Sequence, residues 1–285
     1  MRYAIVGYGN LGKSLEKQIE KRPADKLVCV YSRRNIAHPL ARQLKQLPLD
    51  KDWDVALIAL GSYQDIAQYQ HLFGGVNTVD CYDVSENLSS YKHQLAKIKT
   101  RGTLSIVGAG WDPGLLDIVR KTMGYNAVTL WGKGVSLGHS NALRSIPGVL
   151  DAVQITQPKD NALELIASGQ TNDLHKRICY VSAVEGDKEN ISMQIAKIGH
   201  YFEGQNIEIV FCSINKVRQI KENTYHKGQV LCFDDVFTAK YSVEMASNND
   251  FTASIMLRYA NIIPRLIADG YEGALDTLDI PLRYL

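Results

Sequence analysis

The sequence predicts an α/β fold built on a doubly wound parallel sheet and joined to a second, mixed α+β domain. Three observations predict it. Short apolar runs alternate with helically spaced segments over residues 2–110, which is the rhythm of βαβ units. A G-x-G-x-x-G segment stands directly after the first run and opens a helix. After Gly110 the strand-like runs lengthen and only two short helical patterns interrupt them.

The apolar runs at 3–6, 27–30, 55–60, 76–79 and 104–107 are too short for helices, and most are bounded by Gly, Asp or Arg. They read as five strands buried on both faces. Residues 11–19, 36–44, 66–73 and 88–98 carry apolar side chains near helical spacing and serve as the expected crossovers. At Asp112-Pro113 an aspartate N-cap and a proline at the first helical position announce a helix that leaves the first domain. Downstream, 127–131, 177–184, 207–214, 229–233 and 237–243 read as strands, and 162–167 and 191–198 as helices. A last long helix is expected over 251–268, kinked at Pro264. The domain expectation is therefore 1–112 completed by 246–285, with 113–245 as the second domain.

Bulk properties narrow the partners. Of 285 residues, 32 are Lys or Arg and 30 Asp or Glu, so the net charge of +2 gives no electrostatic case for nucleic acid or an anionic membrane. A small molecule is the expected partner. Cys29, Cys81, Cys179, Cys212 and Cys232 are odd in number, form no C-x-x-C pair, and read as reduced thiols of a cytoplasmic protein without a metal site. The first strand begins at Arg2 and no apolar stretch reaches membrane-spanning length, so neither export nor insertion is expected.

The glycine-rich segment has separate jobs for its residues. Gly7 permits a tight turn, Gly9 lets backbone approach a pyrophosphate, and Gly12 lets helix pack on strand, while the N–H groups around Asn10 and Leu11 face the anion. This is the dinucleotide fingerprint of a Rossmann-type domain. Where NAD enzymes place an acidic group after the second strand, this chain has Ser32-Arg33-Arg34. A hydroxyl and two guanidiniums suit a 2′-phosphate, so NADP(H) is the expected cofactor. Gly61-Ser62, after the third strand, falls at the carboxyl edge where such folds bind ligands.

Beyond the fingerprint, Val79-Asp80-Cys81-Tyr82-Asp83, Gly110-Trp111-Asp112-Pro113-Gly114, Trp131-Gly132 with Gly138-His139-Ser140, Arg144-Ser145-Ile146-Pro147-Gly148-Val149, His175-Lys176-Arg177 and Asn249-Asp250-Phe251-Thr252-Ala253-Ser254 follow in order. Together with the cofactor segments they resemble the meso-diaminopimelate dehydrogenase family over about residues 2–275.

The resemblance implies reversible, NADP-dependent oxidative deamination of the D-centre of meso-2,6-diaminopimelate by a homodimer, in diaminopimelate and lysine biosynthesis. It implies that Asp83 and Asp112 pair with the reacting ammonium and stabilise the iminium cation. Trp111 and Trp131 would wall the reactive end. Thr156, Arg177 and His226 match the family's contacts to the distal carboxylate, with Asn248 as a further polar contact. Two positions depart from the pattern: Leu137 replaces the family's usual Gln and Asn141 its usual Asp. Both remove polar capacity, so a broader D-amino-acid dehydrogenase stays open. An aspartate dehydrogenase or a dihydrodipicolinate reductase leaves the Trp111-Asp112-Pro113-Gly114 segment unexplained, and the retained Asp83, Asp112 and Arg177 argue against the other alternative, a non-catalytic NADP(H) sensor.

Overall fold

The structure is a computed structural model that describes residues 1–47, 51–62, 65–124, 126–199, 202, 206–222, 224 and 226–285. The chain divides into two compact units, Met1–Ile118 with Asn248–Leu285, and Val119–Ser247.

In the first unit β1 (Arg2–Val6), α1 (Asn10–Glu20), β2 (Lys26–Ser32), β3 (Ala41–Gln43), β4 (Val55–Ile58), α2 (Asp65–Tyr69), β5 (Thr78–Asp80), α3 (Ser85–Ile98) and β6 (Leu104–Val107) precede α4 (Leu115–Met123), and α9 (Asn248–Ala268) and β14 (Gly273–Asp276) close the chain. Seven strands pair in the order β14-β6-β5-β4-β1-β2-β3, all parallel. The chain winds outward in opposite directions from β1 and β4. This is the doubly wound Rossmann order, and it puts a switch point between those two strands.

Period-two alternation splits the central strands between two cores. Tyr3, Ile5, Leu57 and Ile106 face α1 and α9, whereas Ala4, Val6, Ala56 and Val107 face α2, α3 and the 3-10 turn at Leu44–Gln46. Both faces are buried, which is why these runs read as continuous apolar stretches. Tyr3 donates to the Asn261 side chain at 2.6 Å and so fixes α9 on the sheet.

The expected helix over 36–44 does not form. Pro39 lacks an N–H and disfavours helix at His38, and the chain turns instead into the short strand β3 and a 3-10 turn. The run expected as a strand over 76–79 forms β5, which begins at Thr78. Helix α9 passes through Pro264, which removes one intrahelical hydrogen bond without ending it.

The second unit contains β7 (Val128–Trp131), β8 (Gly134–Ser136), α5 (Leu137–Arg144), β9 (Val149–Pro158), α6 (Ala162–Ala167), β10 (His175–Ala183), α7 (Lys188–Ala196), β11 (Ile207–Phe211), α8 (Ile214–Glu222), β12 (His226–Phe233) and β13 (Thr238–Met245). A mixed four-stranded sheet runs β11-β10-β9-β8, and an antiparallel sheet of three runs β13-β12-β7. The strand expected over 207–214 stops at Phe211, and Ile214 opens α8. On the mixed sheet Ala152, Cys179 and Val181 pack with α5 and α7, while Val153, Ile155 and Ile178 pack with α8.

Candidate functional site

In the first unit the carboxyl ends of β1, β2 and β4 carry the residues expected to hold a cofactor. Gly7 has φ +97°, and a Cβ there would sit 2.6 Å from the Ala59 carbonyl oxygen. A Cβ on Gly12 would lie 2.2 Å from the Gly7 carbonyl oxygen, so these two glycines are demanded by the packing of turn, helix and strand. Gly9 is different: nothing lies within 4 Å of its Cβ position, and φ −89° suits any residue. No side chain caps α1 and its first turn holds no acidic residue, so the N–H groups around Asn10, Leu11 and Gly12 present positive potential toward the space beside Gly9. A pyrophosphate fits that cradle.

Gly9→Ala is accordingly expected to fold with an unchanged melting temperature and to lose NADPH binding, whereas Gly12→Ala should lower the melting temperature sharply. Isothermal titration and thermal unfolding separate the two. An alanine at Gly9 that binds NADPH normally would remove the turn from the cofactor site.

Ser32 ends β2 nearly buried, and its Oγ accepts the Arg34 N–H at 3.1 Å. Arg33 and Arg34 are exposed, and the Arg33 guanidinium carbon lies 5.9 Å from the Tyr69 ring centre. A local side-chain turn thus presents two guanidiniums at the carboxyl end of β2, as a 2′-phosphate requires.

The loops after β4, β5 and β6 carry the remaining residues. Ser62 Oγ accepts the Asp83 N–H at 3.2 Å, which joins the Gly61-Ser62 turn to the Asp83 loop. Asp83 is reached by solvent yet surrounded by protein atoms: desolvation raises its carboxyl above the usual range, and the Ser62 hydroxyl opposes the rise. Asp80, absent from the expected site, organises this region. Its fully buried carboxylate accepts the N–H groups of Tyr82 at 3.0 Å and Gly108 at 3.1 Å and the hydroxyl of Tyr91 at 3.0 Å. The Ala109 N–H binds its carbonyl at 2.7 Å. One residue therefore sets both loops that lead to Asp83 and to Trp111-Asp112, and burial pushes its carboxyl up to about 6.

The N-cap expectation for Asp112 is corrected. Asp112-Pro113 is a cis peptide within a turn, α4 begins at Leu115, and Gly114 N–H instead binds the Asp117 carboxylate at 2.8 Å. Trp111 is half-buried against the α1/α9 core, and half-buried Asn248 opens α9, where it accepts the Thr252 hydroxyl at 3.1 Å.

In the second unit strand register does the gathering. Arg177 on β10 pairs directly with Thr156 on β9, on the face that continues into Cys179 and Val181. Buried Gln154, two residues along, shares hydrogen bonds with Thr156 at 3.2 and 3.4 Å. Burial lowers the half-buried Arg177 guanidinium's pKa. Trp131 pairs with Gly228 of β12, two residues from His226. The Trp131 backbone N–H donates to Nε2 of His175 at 3.0 Å, and the Trp131 and His175 rings lie 4.9 Å apart. His175 and Gln154 were not among the expected site residues; His175 lies within a recognisable motif, but its contact with Trp131 arises only on folding.

Desolvation first, then the Arg177 charge, lowers His175 to about 4, and desolvation lowers His226 to about 4. A folded pKa below the unfolded value near 6.5 contributes stability above pH 6.5 that is lost as pH falls toward 4. Each imidazole accounts for roughly 3 kcal/mol across that window. Thermal unfolding followed from pH 7.5 to 4.5 is expected to show a steep loss, flattened in His175→Gln and His226→Gln; an unchanged slope in both variants refutes the assignment.

A Rossmann-type dinucleotide unit with an uncapped glycine cradle, an arginine pair and carboxylates at the strand ends defines the class of nicotinamide-dependent dehydrogenases. Comparison with known proteins narrows it. Residues 110–247 match the family model described as Diaminopimelic acid dehydrogenase C-terminal domain. The chain is 36% identical to the meso-diaminopimelate D-dehydrogenase of Corynebacterium glutamicum, over 98% of this chain and 93% of that protein. The structure of C. glutamicum DAP dehydrogenase in complex with DAP is similar with a TM-score of 0.89 and 33% identity, covering 100% of this chain and 95% of that one. An engineered D-amino acid dehydrogenase bound to NADP+ matches with a TM-score of 0.90 and 32% identity over the same shares. The chain belongs to the meso-diaminopimelate D-dehydrogenase family.

Proposed function

We propose that this chain catalyses the NADP-dependent oxidative deamination of the D-centre of meso-2,6-diaminopimelate, reversibly, to L-2-amino-6-oxopimelate (tetrahydrodipicolinate), ammonia and NADPH. The observation that carries the reading is the presence of Asp83 and Asp112 on adjoining loops at the carboxyl edge of the cofactor unit, in a chain 36% identical to a named meso-diaminopimelate D-dehydrogenase. NADP+ supplies the hydride acceptor. Gly9 and the N-terminus of α1 hold its pyrophosphate, and Ser32, Arg33 and Arg34 hold its 2′-phosphate.

The two aspartates bind the reacting amine, orient its Cα–H and stabilise the positive charge of the iminium left when hydride departs. Water then adds to that carbon and ammonia leaves. Trp111 and Trp131 exclude bulk solvent from the reacting carbon, which strengthens the charge contacts. Arg177, Thr156 and His226 bind the remote carboxylate, with Asn248 as a further polar contact. The protein is a homodimer acting in the cytoplasm; exposed Leu150, Val184, Met193 and Val236 in the second unit supply apolar surface for such an assembly. Among the described residues, no helix is long and apolar enough to cross a membrane.

One feature supports a second, broader reading. Leu137 opens α5 half-buried among apolar side chains, and the Asn141 amide oxygen accepts from Arg144. A leucine where the family has glutamine favours D-amino acids with apolar side chains.

Incubation with NADP+ and, separately, meso-, LL- and DD-diaminopimelate, D-alanine and D-leucine tests both readings through NADPH absorbance. Turnover of the meso isomer and none of the LL isomer is expected. NADPH binding with no turnover of any substrate would identify a sensor and overturn the enzymatic reading.

A further inference from the structure

A side-chain cluster ties the glycine-rich turn to the arginine segment. Tyr8, between Gly7 and Gly9, donates its hydroxyl to Oε2 of Glu16 on α1, and Nε2 of His38 lies 2.9 Å from Oε1 of the same carboxylate. The Tyr8 and His38 rings meet edge to face at 5.0 Å. The tautomer follows from the backbone: the Leu40 N–H donates to His38 Nδ1 at 3.1 Å, so Nε2 carries the proton that reaches Glu16. The hydrogen bond to the Glu16 carboxylate pushes the Tyr8 phenol up to about 12 and keeps it a donor.

His38 anchors the far end of the segment that begins with Ser32, Arg33 and Arg34. The near end is held by the Arg34 N–H on Ser32 Oγ at 3.1 Å. Beyond His38, the Ala41 N–H binds its carbonyl at 3.0 Å and the Val30 N–H binds the Leu40 carbonyl at 2.9 Å. Between those ends Gln43 Nε2 donates to Asn35 Oδ1 at 3.1 Å and Ile36 packs against the core, while the contact of His38 with Glu16 ties the segment to α1. The same carboxylate holds the one side chain that projects from between the first two fingerprint glycines.

We propose that Glu16 is a positioning residue for cofactor selection: with Tyr8 and His38 it holds the glycine-rich turn and the arginine segment in one arrangement, so that the pyrophosphate and the 2′-phosphate of NADP(H) are met together. The inference rests on the assignment of Arg33 and Arg34 to the 2′-phosphate. NADH has no such phosphate and uses the turn alone. Loosening the arginine segment therefore affects NADPH and spares NADH, because preorganisation lowers only the ordering cost of contacts that are made.

The test is direct titration of the full chain with NADPH and with NADH, with thermal unfolding as a check on the fold. Glu16→Ala and His38→Ala are each expected to weaken NADPH binding roughly tenfold, within the range for coupled neighbours, and to leave NADH within about twofold. His38→Gln, whose amide N–H can still reach Glu16, should restore most of the loss. In an Arg33→Ala/Arg34→Ala background, Glu16→Ala should cause no further loss of NADPH affinity. Equal weakening of both cofactors, or full additivity with the arginine substitutions, overturns the proposal. The arginine double variant alone separates the two layers: if it keeps its NADPH preference, the 2′-phosphate assignment fails and the inference falls with it. If it loses the preference while Glu16→Ala and His38→Ala do not, only the coupling through Glu16 is wrong.

Discussion

Replacing Asp83 or Asp112 by asparagine is expected to lower the turnover of meso-diaminopimelate by about two to three orders of magnitude, the effect of removing one preorganised electrostatic partner of a developing charge. NADPH affinity and melting temperature should stay close to those of the unaltered chain. An amide keeps the shape of the carboxylate but cannot neutralise the iminium, so the deficit falls on the transition state rather than on folding. The structure sharpens the expectation for Asp83. Its carboxyl is raised by desolvation and held down in part by the Ser62 hydroxyl. Only the ionised form stabilises the cation, so the rate should fall as pH drops through a value above the usual carboxylate range. Ser62→Ala removes the opposing hydrogen bond and should move that acid limb to higher pH. Single-turnover NADPH formation across pH decides the matter; an unmoved limb in Ser62→Ala, with full activity in Asp83→Asn, would dismiss Asp83 from the amine site.

The first half of the cofactor unit was readable residue by residue because its demands are local. Gly7 and Gly12 are forced by contacts within one βαβ unit, and β1, β4 and β6 are buried on both faces, so sequence alone carries their signal. The segment 36–44 misled because Ile36, Leu40 and Leu44 are spaced as on a helix, while Pro39 and the His38 contacts decide otherwise. The edge strand β14 escaped because four half-buried residues with a leading glycine carry no periodic signal. In the second unit β9 was missed for a related reason: Asp151, Gln154 and Thr156 interrupt its apolar run. Helices α5 and α8 were missed as well. Asp80 and His175 lay within recognisable motifs, yet their roles come from contacts with Gly108, Tyr91 and the Trp131 N–H that only folding creates. Pattern matching names a residue; tertiary hydrogen bonds say what it holds.

Arg177 offers the test of the proposed contact to the substrate's remote carboxylate. It pairs across strands with Thr156, on a face whose interior is apolar, so its guanidinium is aimed by a rigid sheet rather than a loop. Burial lowers its pKa, the mark of a cation in a poorly hydrated place, where a carboxylate ligand is bound more strongly than in water. A contact to the carboxylate remote from the reacting carbon is equal in ground and transition states, so its loss should raise KM and leave kcat nearly unchanged. Truncating one partner of such a buried pair costs about 2–5 kcal/mol, which is a thirtyfold or greater loss in affinity. A monocarboxylic D-amino acid has no remote carboxylate and leaves Arg177 without that ligand. Arg177→Met is therefore expected to weaken meso-diaminopimelate oxidation at least about thirtyfold in kcat/KM while sparing or improving D-leucine, and Leu137→Gln should shift the preference back toward diaminopimelate. Parallel kinetics on the two substrates provide the measurement. Equal losses on both would place Arg177 at the reacting end or in the framework of the sheet, and the remote-carboxylate contact would have to be abandoned.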